Sequence, residues 1–287
     1  MTSNPETFPA QSSGGWREKL PPLPPHGTIL LSPHSDDIVM AAYHIIMERV
    51  LPGPLYLVTA FSRSRSMRIE KRRLLDKHIL PKLLSGSRNS LNLKRTILRN
   101  LRNPETVTQI RLEEDARFCK LIQATPVAID LPDCELRRGG MITDPSWDLE
   151  KESATIARLR DEVAGILDRW LANLLICPWP YGENQHLDHR LVLEAASDLA
   201  ASKKTTLLFL DDLPYSRRPV ESVFFEKRRN VLYKSILLPL GSPSIRAKHK
   251  AMEIYKSQMK EYFHKFVDLP PPGDHSRCPS ETLWVPA

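Results

Sequence analysis

Two short motifs, about 150 residues apart, carry the side-chain types of a metal site: Pro33-His34-Ser35-Asp36-Asp37 and His186-Leu187-Asp188-His189. Each follows an apolar run (Thr28–Leu31 and Leu174–Cys177) that reads as a buried strand, and each precedes a helical pattern. Both motifs therefore fall at the carboxyl end of a strand, where open α/β sheets place their ligands. His, Asp and His from two such ends supply an N2O set for zinc with a position left open for water. Asp36 and Asp37 are adjacent, so their side chains diverge: one can bind metal while the other faces the open position as a general base. His186 and His189 are three residues apart and share a face at a helix start. One can ligate; the other can face a scissile carbonyl as oxyanion and proton donor. Asp188 is placed to orient an imidazole.

The elements that position these motifs follow a strand–helix alternation. A strand at 28–32, a helix at 36–50 stopped by Pro52-Gly53-Pro54 and a strand at 55–61 make a βαβ unit, hence a parallel sheet. Helical spacing recurs at 69–84, 91–101, 108–122, 150–171, 188–201 and 244–266; further strands are expected at 127–131, 174–178, 206–210 and 230–238. Residues 133–148 read as an irregular connection; the tail from Leu269 contains Pro270-Pro271-Pro272-Gly273 and ends in Glu281-Thr-Leu-Trp-Val-Pro-Ala, with no element assigned to it. The fold class expected is α/β, a Rossmann-like three-layer fold with a mainly parallel central sheet. Residues 1–25, rich in Pro, Ser and Gly, read as a disordered lead-in, and 26–287 as one domain.

Charge is concentrated. The chain has 41 Lys+Arg against 34 Asp+Glu, a net +7, yet residues 63–111 alone hold 14 basic and 3 acidic residues. This basic helical insertion around 63–107 reads as a solvated surface or as a rim for an anionic substrate. It has no aromatic residue, which removes the stacking platform of single-strand nucleic-acid binders. No apolar run is long enough to span a membrane. Four scattered cysteines with no CxxC argue for a reducing, cytoplasmic setting without disulfides. Trp179 and Tyr181, just before the second motif, are candidates for a substrate wall. Asp211-Asp212 has no histidine beside it in sequence and reads as a loop cap or a polar substrate contact.

The two motifs resemble those of the PIG-L/LmbE-like zinc-dependent de-N-acetylases, [AP]-H-P-D-D-E and H-P-D-H. By position, the resemblance implies zinc, or another divalent ion, on His34, Asp37 and His189. It implies Asp36 as general base and His186 as partner of the oxyanion and leaving group. The family's mid-chain R-x-x-E is matched by Arg111 and Glu114, with Arg111 on the substrate side. Its late motif resembles Lys248 to Gln258, with Tyr255 and Ser257 inside it. Ser35 and Ile38 depart from the family's Pro and Glu, though neither position is assigned to the metal. The activity implied is hydrolysis of an N-acetyl group on an amino sugar or its conjugate, a small N-acyl substrate for which an anionic group is one option. Two alternatives stand beside it: an amidase for another N-acyl natural product or thiol conjugate, and a basic polyanion binder with a vestigial metal fold.

Overall fold

A computed structural model describes residues 15–65, 103–181, 183–215, 223–226, 230–259, 267–269 and 279–287. The helices expected at 69–84 and 91–101 lie outside them. Eight strands form one sheet: β1 (Thr28–Ser32), β2 (Leu55–Thr59), β3 (Ala124–Ala128), β4 (Leu174–Trp179), β5 (Thr206–Asp211), β6 (Val223–Glu226), β7 (Val231–Pro239) and β8 (Ser280–Pro286). Their order is β3-β2-β1-β4-β5-β8-β7-β6. The first five are parallel and the last three antiparallel, so the sheet is α/β with a mainly parallel half. The strand order reverses between β1 and β4, and this switch point opens a crevice at their carboxyl ends.

Side chains alternate across the sheet and build two apolar layers. Leu30, Leu57, Leu174 and Ile176 face α1 (Asp37–Met47), α2 (Pro104–Ile122) and α6 (Ser242–Met252). Ile29, Leu31, Val58, Leu175 and Cys177 face α4 (Ser153–Trp170) and α5 (Leu187–Ser202). Near-continuous apolar strands are what a parallel sheet covered on both faces requires.

Several elements differ from the sequence expectation. β3 starts at Ala124 rather than Val127 and contains Pro126, tolerated because β3 is an edge strand with one unpaired side. A short helix, α3 (Cys134–Arg138), interrupts the stretch read as irregular. Asp133 caps it by accepting from the Leu136 N–H, and Gly139, at φ +80°, ends it in the left-handed region. α6 stops at Met252 instead of running to 266: the Ser257 N–H goes to the Glu114 carboxylate, outside the helical ladder. The tail supplies β8, slotted between β5 and β7. The lead-in expected over 1–25 is described from residue 15, and there Trp16 is buried against the α1 layer. Among the described residues no helix is long and apolar enough to cross a membrane.

Candidate metal centre and cleft

His34 leaves the end of β1 in a tight turn. Its backbone N–H donates to Asp37 Oδ2 at 2.7 Å, so the first residue of α1 folds back over the loop. His189 lies in the first turn of α5, behind the end of β4. The switch point thus brings together three atoms: His34 Nδ1, Asp37 Oδ2 and His189 Nε2. They are separated by 3.5 Å (His34–Asp37), 3.4 Å (His189–Asp37) and 3.2 Å (His189–His34). Three ligands about 2.0–2.1 Å from one tetrahedral ion stand about 3.3 Å apart. The residues present therefore fit a zinc-sized ion without rearrangement. His186 also offers a nitrogen within 4.8 Å of the other two imidazoles. His186 itself caps α5, with its Nδ1 engaged by the Asp188 N–H.

Each imidazole of the triangle is held from behind. His34 Nε2–H donates to Asp188 Oδ2 at 2.9 Å, and His189 Nδ1–H donates to Asp212 Oδ1 at 2.5 Å. These bonds set both tautomers, leaving Nδ1 of His34 and Nε2 of His189 as lone-pair donors. Asp188 and Asp212 are fully buried. Burial alone would lower His34, but hydrogen bonds and charge from Asp188 and Asp37 carry it up to about 10. Burial likewise opposes the charged form of His189, and Asp212 and Asp37 raise it. The buried carboxylates thus draw positive charge to this point, as a cation site should.

The cleft beside the triangle is lined by Asp36, Arg111, His186, Tyr215 and Gln258, among others. Burial, then the neighbouring Asp37 charge, pushes the Asp36 carboxyl up to about 6. Burial and the adjacent His34 hold His186 down to about 3, so it is a neutral imidazole at ordinary pH. As the residue capping α5, His186 accepts the Asp188 N–H on Nδ1 at 3.2 Å. Its proton is therefore on Nε2.

Arg111 reaches the cleft from α2, where its Nη2 donates to Gln258 Oε1 at 2.8 Å. The next turn fastens that wall. Glu114 accepts from the Ser257 N–H at 2.9 Å and from the Ser257 hydroxyl; Asp115 accepts from Thr59 (2.8 Å), Tyr255 (3.1 Å) and Ser35 (3.2 Å). Ser35, where the related motifs carry proline, thus ties the His34 turn to α2. Glu114 is fully buried, and burial pushes it up to about 8 despite the Ser257 bonds. Between its ordinary value of 4.5 and about 8, the folded state holds a proton that the unfolded state releases. Stability from this group is complete below that window and is lost as pH rises through it. Glu114→Gln should flatten the decline: urea unfolding at pH 5 and pH 8 is expected to bring the variant closer to wild type, or above it, at the higher pH. Parallel profiles would refute the assignment.

Of the nine site residues expected, seven gather here: His34, Asp36, Asp37, Arg111, His186, Asp188 and His189. Trp179 and Tyr181 do not line the cleft. The Trp179 ring meets Phe209 edge-on at 4.2 Å and belongs to the α4–α5 apolar layer; Tyr181 is 41% exposed. Asp212, read from the sequence as a loop cap or polar substrate contact, and Tyr215, which was not anticipated, also join the site. Asp212 stands behind His189. Tyr215 lies with its ring centroid 5.1 Å from His189 and 5.5 Å from His186. Both follow the end of β5, so the strand-end rule applied to β1 and β4 also points to them.

An α/β sheet with a His–Asp–His triangle at its switch point defines a candidate metal site of the strand-end type, and known proteins carry it further. The PIG-L family model, described as GlcNAc-PI de-N-acetylase, matches residues 29–200. The chain belongs to this family. A comparison with curated proteins returned no match. Among solved structures, a deacetylase of the teicoplanin biosynthesis pathway is similar at 15% identity and TM-score 0.59, covering 91% of this chain and 98% of that one. The deacetylase of the antimicrobial A40926 pseudoaglycone gives 16% identity and TM-score 0.58 over 92% and 98%. A zinc-inhibited form of the teicoplanin deacetylase gives 14% and 0.58 over 91% and 98%. At these identities the likeness is one of fold.

Proposed function

We propose that this protein is a metal-dependent N-deacetylase that hydrolyses the N-acetyl amide of an amino sugar or amino-sugar conjugate, releasing acetate and a free amine. The observation that carries the proposal is the near-equilateral triangle of His34, Asp37 and His189 donors opening on a cleft that holds Asp36 and a neutral His186. The family description names an N-acetylated amino sugar, which supports the substrate class.

His34, Asp37 and His189 would hold the ion, and zinc suits the set, as do other divalent ions. When bound, such an ion supplies Lewis acidity, lowering the pKa of water towards about 7 and polarising a carbonyl. Asp36 accepts the proton of the attacking water, and its raised pKa makes it a stronger base than a solvated aspartate. His186 donates its Nε2–H to the amide oxygen as negative charge develops there. The proton taken by Asp36 then passes to the amine nitrogen as the C–N bond breaks. Asp188 and Asp212 keep the two imidazoles turned towards the ion, and Arg111 with Gln258 forms the substrate side.

The test is metal content of the purified protein together with acetate release from a panel of N-acetyl amino sugars, their lipid, phosphate and nucleotide conjugates, and thiol-conjugate amides. One ion per chain and acetate from the sugar members, lost on chelation and restored by zinc, is the expected result. Turnover confined to the thiol or natural-product amides would move the substrate class. No metal after reconstitution would overturn the reading.

A further inference from the structure

Behind His34 the structure continues a chain of alternating charge: Asp188, Arg137, Glu152. We propose that Arg137 is a positioning residue of the metal centre, acting through Asp188 on His34. Arg137 sits on α3, and its side chain is 10% exposed. Its Nη2 donates to Asp188 Oδ1 at 2.7 Å and its Nε to Glu152 Oε2 at 3.3 Å; Nη1 meets the Pro132 carbonyl. The guanidinium carbon lies 4.6 Å over the Phe61 ring. Arg138 takes the other Glu152 oxygen at 2.6 Å, which fixes Glu152 in turn.

The consequence falls on Asp188. Its Oδ2 accepts both the His34 Nε2–H and the Cys134 N–H, each at 2.9 Å, while Oδ1 accepts from Arg137. With both oxygens engaged, the carboxylate plane cannot turn, and His34 Nδ1 stays aimed at the triangle. Asp188 is fully buried, so without the guanidinium its charge would be left to the His34 ring and the Cys134 N–H. A planar fork serves Asp188 and Glu152 together, which a lysine ammonium cannot do in the same plane. No element of the family motifs contains Arg137; its role comes from α3 docking against the start of α5.

This inference rests on the reading of His34 as a metal ligand. Its test is zinc affinity, measured by competition with a chromophoric chelator, for wild type, Arg137→Met and Arg137→Lys, with the unfolding midpoint of each metal-free protein recorded separately. Partners behind a ligating imidazole are worth about 10- to 100-fold in affinity, so Arg137→Met should weaken zinc by that factor and Arg137→Lys should recover part of it. If Arg137 only braces α3, the metal-free midpoint falls while zinc affinity stays within about twofold of wild type, and the inference is overturned. Should Arg137→Met fail to fold, Arg137→Gln keeps a neutral donor towards Asp188: a loss of about tenfold supports the role, and wild-type affinity overturns it. Wild-type protein that binds no zinc would instead overturn the metal reading, and the role of Arg137 with it.

Discussion

Asp36→Asn is expected to lower kcat by about 10³-fold, within the range assigned to general acid–base groups, while metal content stays at the wild-type level. His189→Ala should lose metal and activity together. The contrast follows from position. Asp37 turns inward, with Oδ2 3.4 Å from His189 and 3.5 Å from His34, whereas Asp36 lines the cleft. Asparagine matches aspartate in shape and can still accept a hydrogen bond from water, but it cannot take water's proton. Asp36 lies outside the triangle of donors, so its neutralisation leaves all three of them in place. Metal analysis beside steady-state kinetics on amide hydrolysis decides the matter. More than a tenth of wild-type kcat in Asp36→Asn would place the base elsewhere, and loss of metal would make Asp36 a ligand.

The strands around this centre were legible because a parallel sheet covered on both faces needs apolar runs bounded by turn residues. Thr28–Ser32 is β1 to the residue, and Leu174–Cys177 lies within β4. The motifs at their ends could be joined because both fall at the carboxyl ends of strands in one parallel sheet, where such sheets gather their ligands. What stayed hidden depends on contacts that no local pattern encodes. Asp212 meets His189 only because β5 pairs with β4. Arg137 matters only because a five-residue helix docks against α5. Trp179 is a different case. Residues 175, 177 and 179 of β4 share one face of the sheet, and that face is apolar core. The alternation already placed the indole in a packed layer, and nearness to the motif in sequence was the weaker guide. β8 was missed because its pairing partners lie far back in the chain, at Leu210 and Ile236.

β8 also carries the residue whose loss should cost most in stability. α1 is broken at Ala42 (φ −139°, ψ 15°), which takes the following N–H groups out of the helical ladder. The Glu281 carboxylate receives two of them, His44 N–H at 3.0 Å and Ile45 N–H at 2.9 Å, and accepts Lys248 Nζ at 2.8 Å. Glu281 and Lys248 are each 1% exposed. Glu281→Ala would take from the buried Lys248 its carboxylate and strand two backbone donors at once. Breaking a buried pair from one side costs about 3–5 kcal/mol, a large share of the roughly 5–15 kcal/mol that holds a domain folded. For a chain of this size that is a fall in Tm on the order of 10 °C. Lys248→Met should cost less, because the carboxylate it leaves behind keeps two N–H donors and the positive end of the second half of α1. Glu281→Gln falls between them, since its amide must turn an N–H towards one of three donors. Thermal unfolding of the three variants tests the order. A Lys248→Met protein less stable than Glu281→Ala would mean that the ion pair, rather than the capping of the broken helix, is what Glu281 chiefly provides.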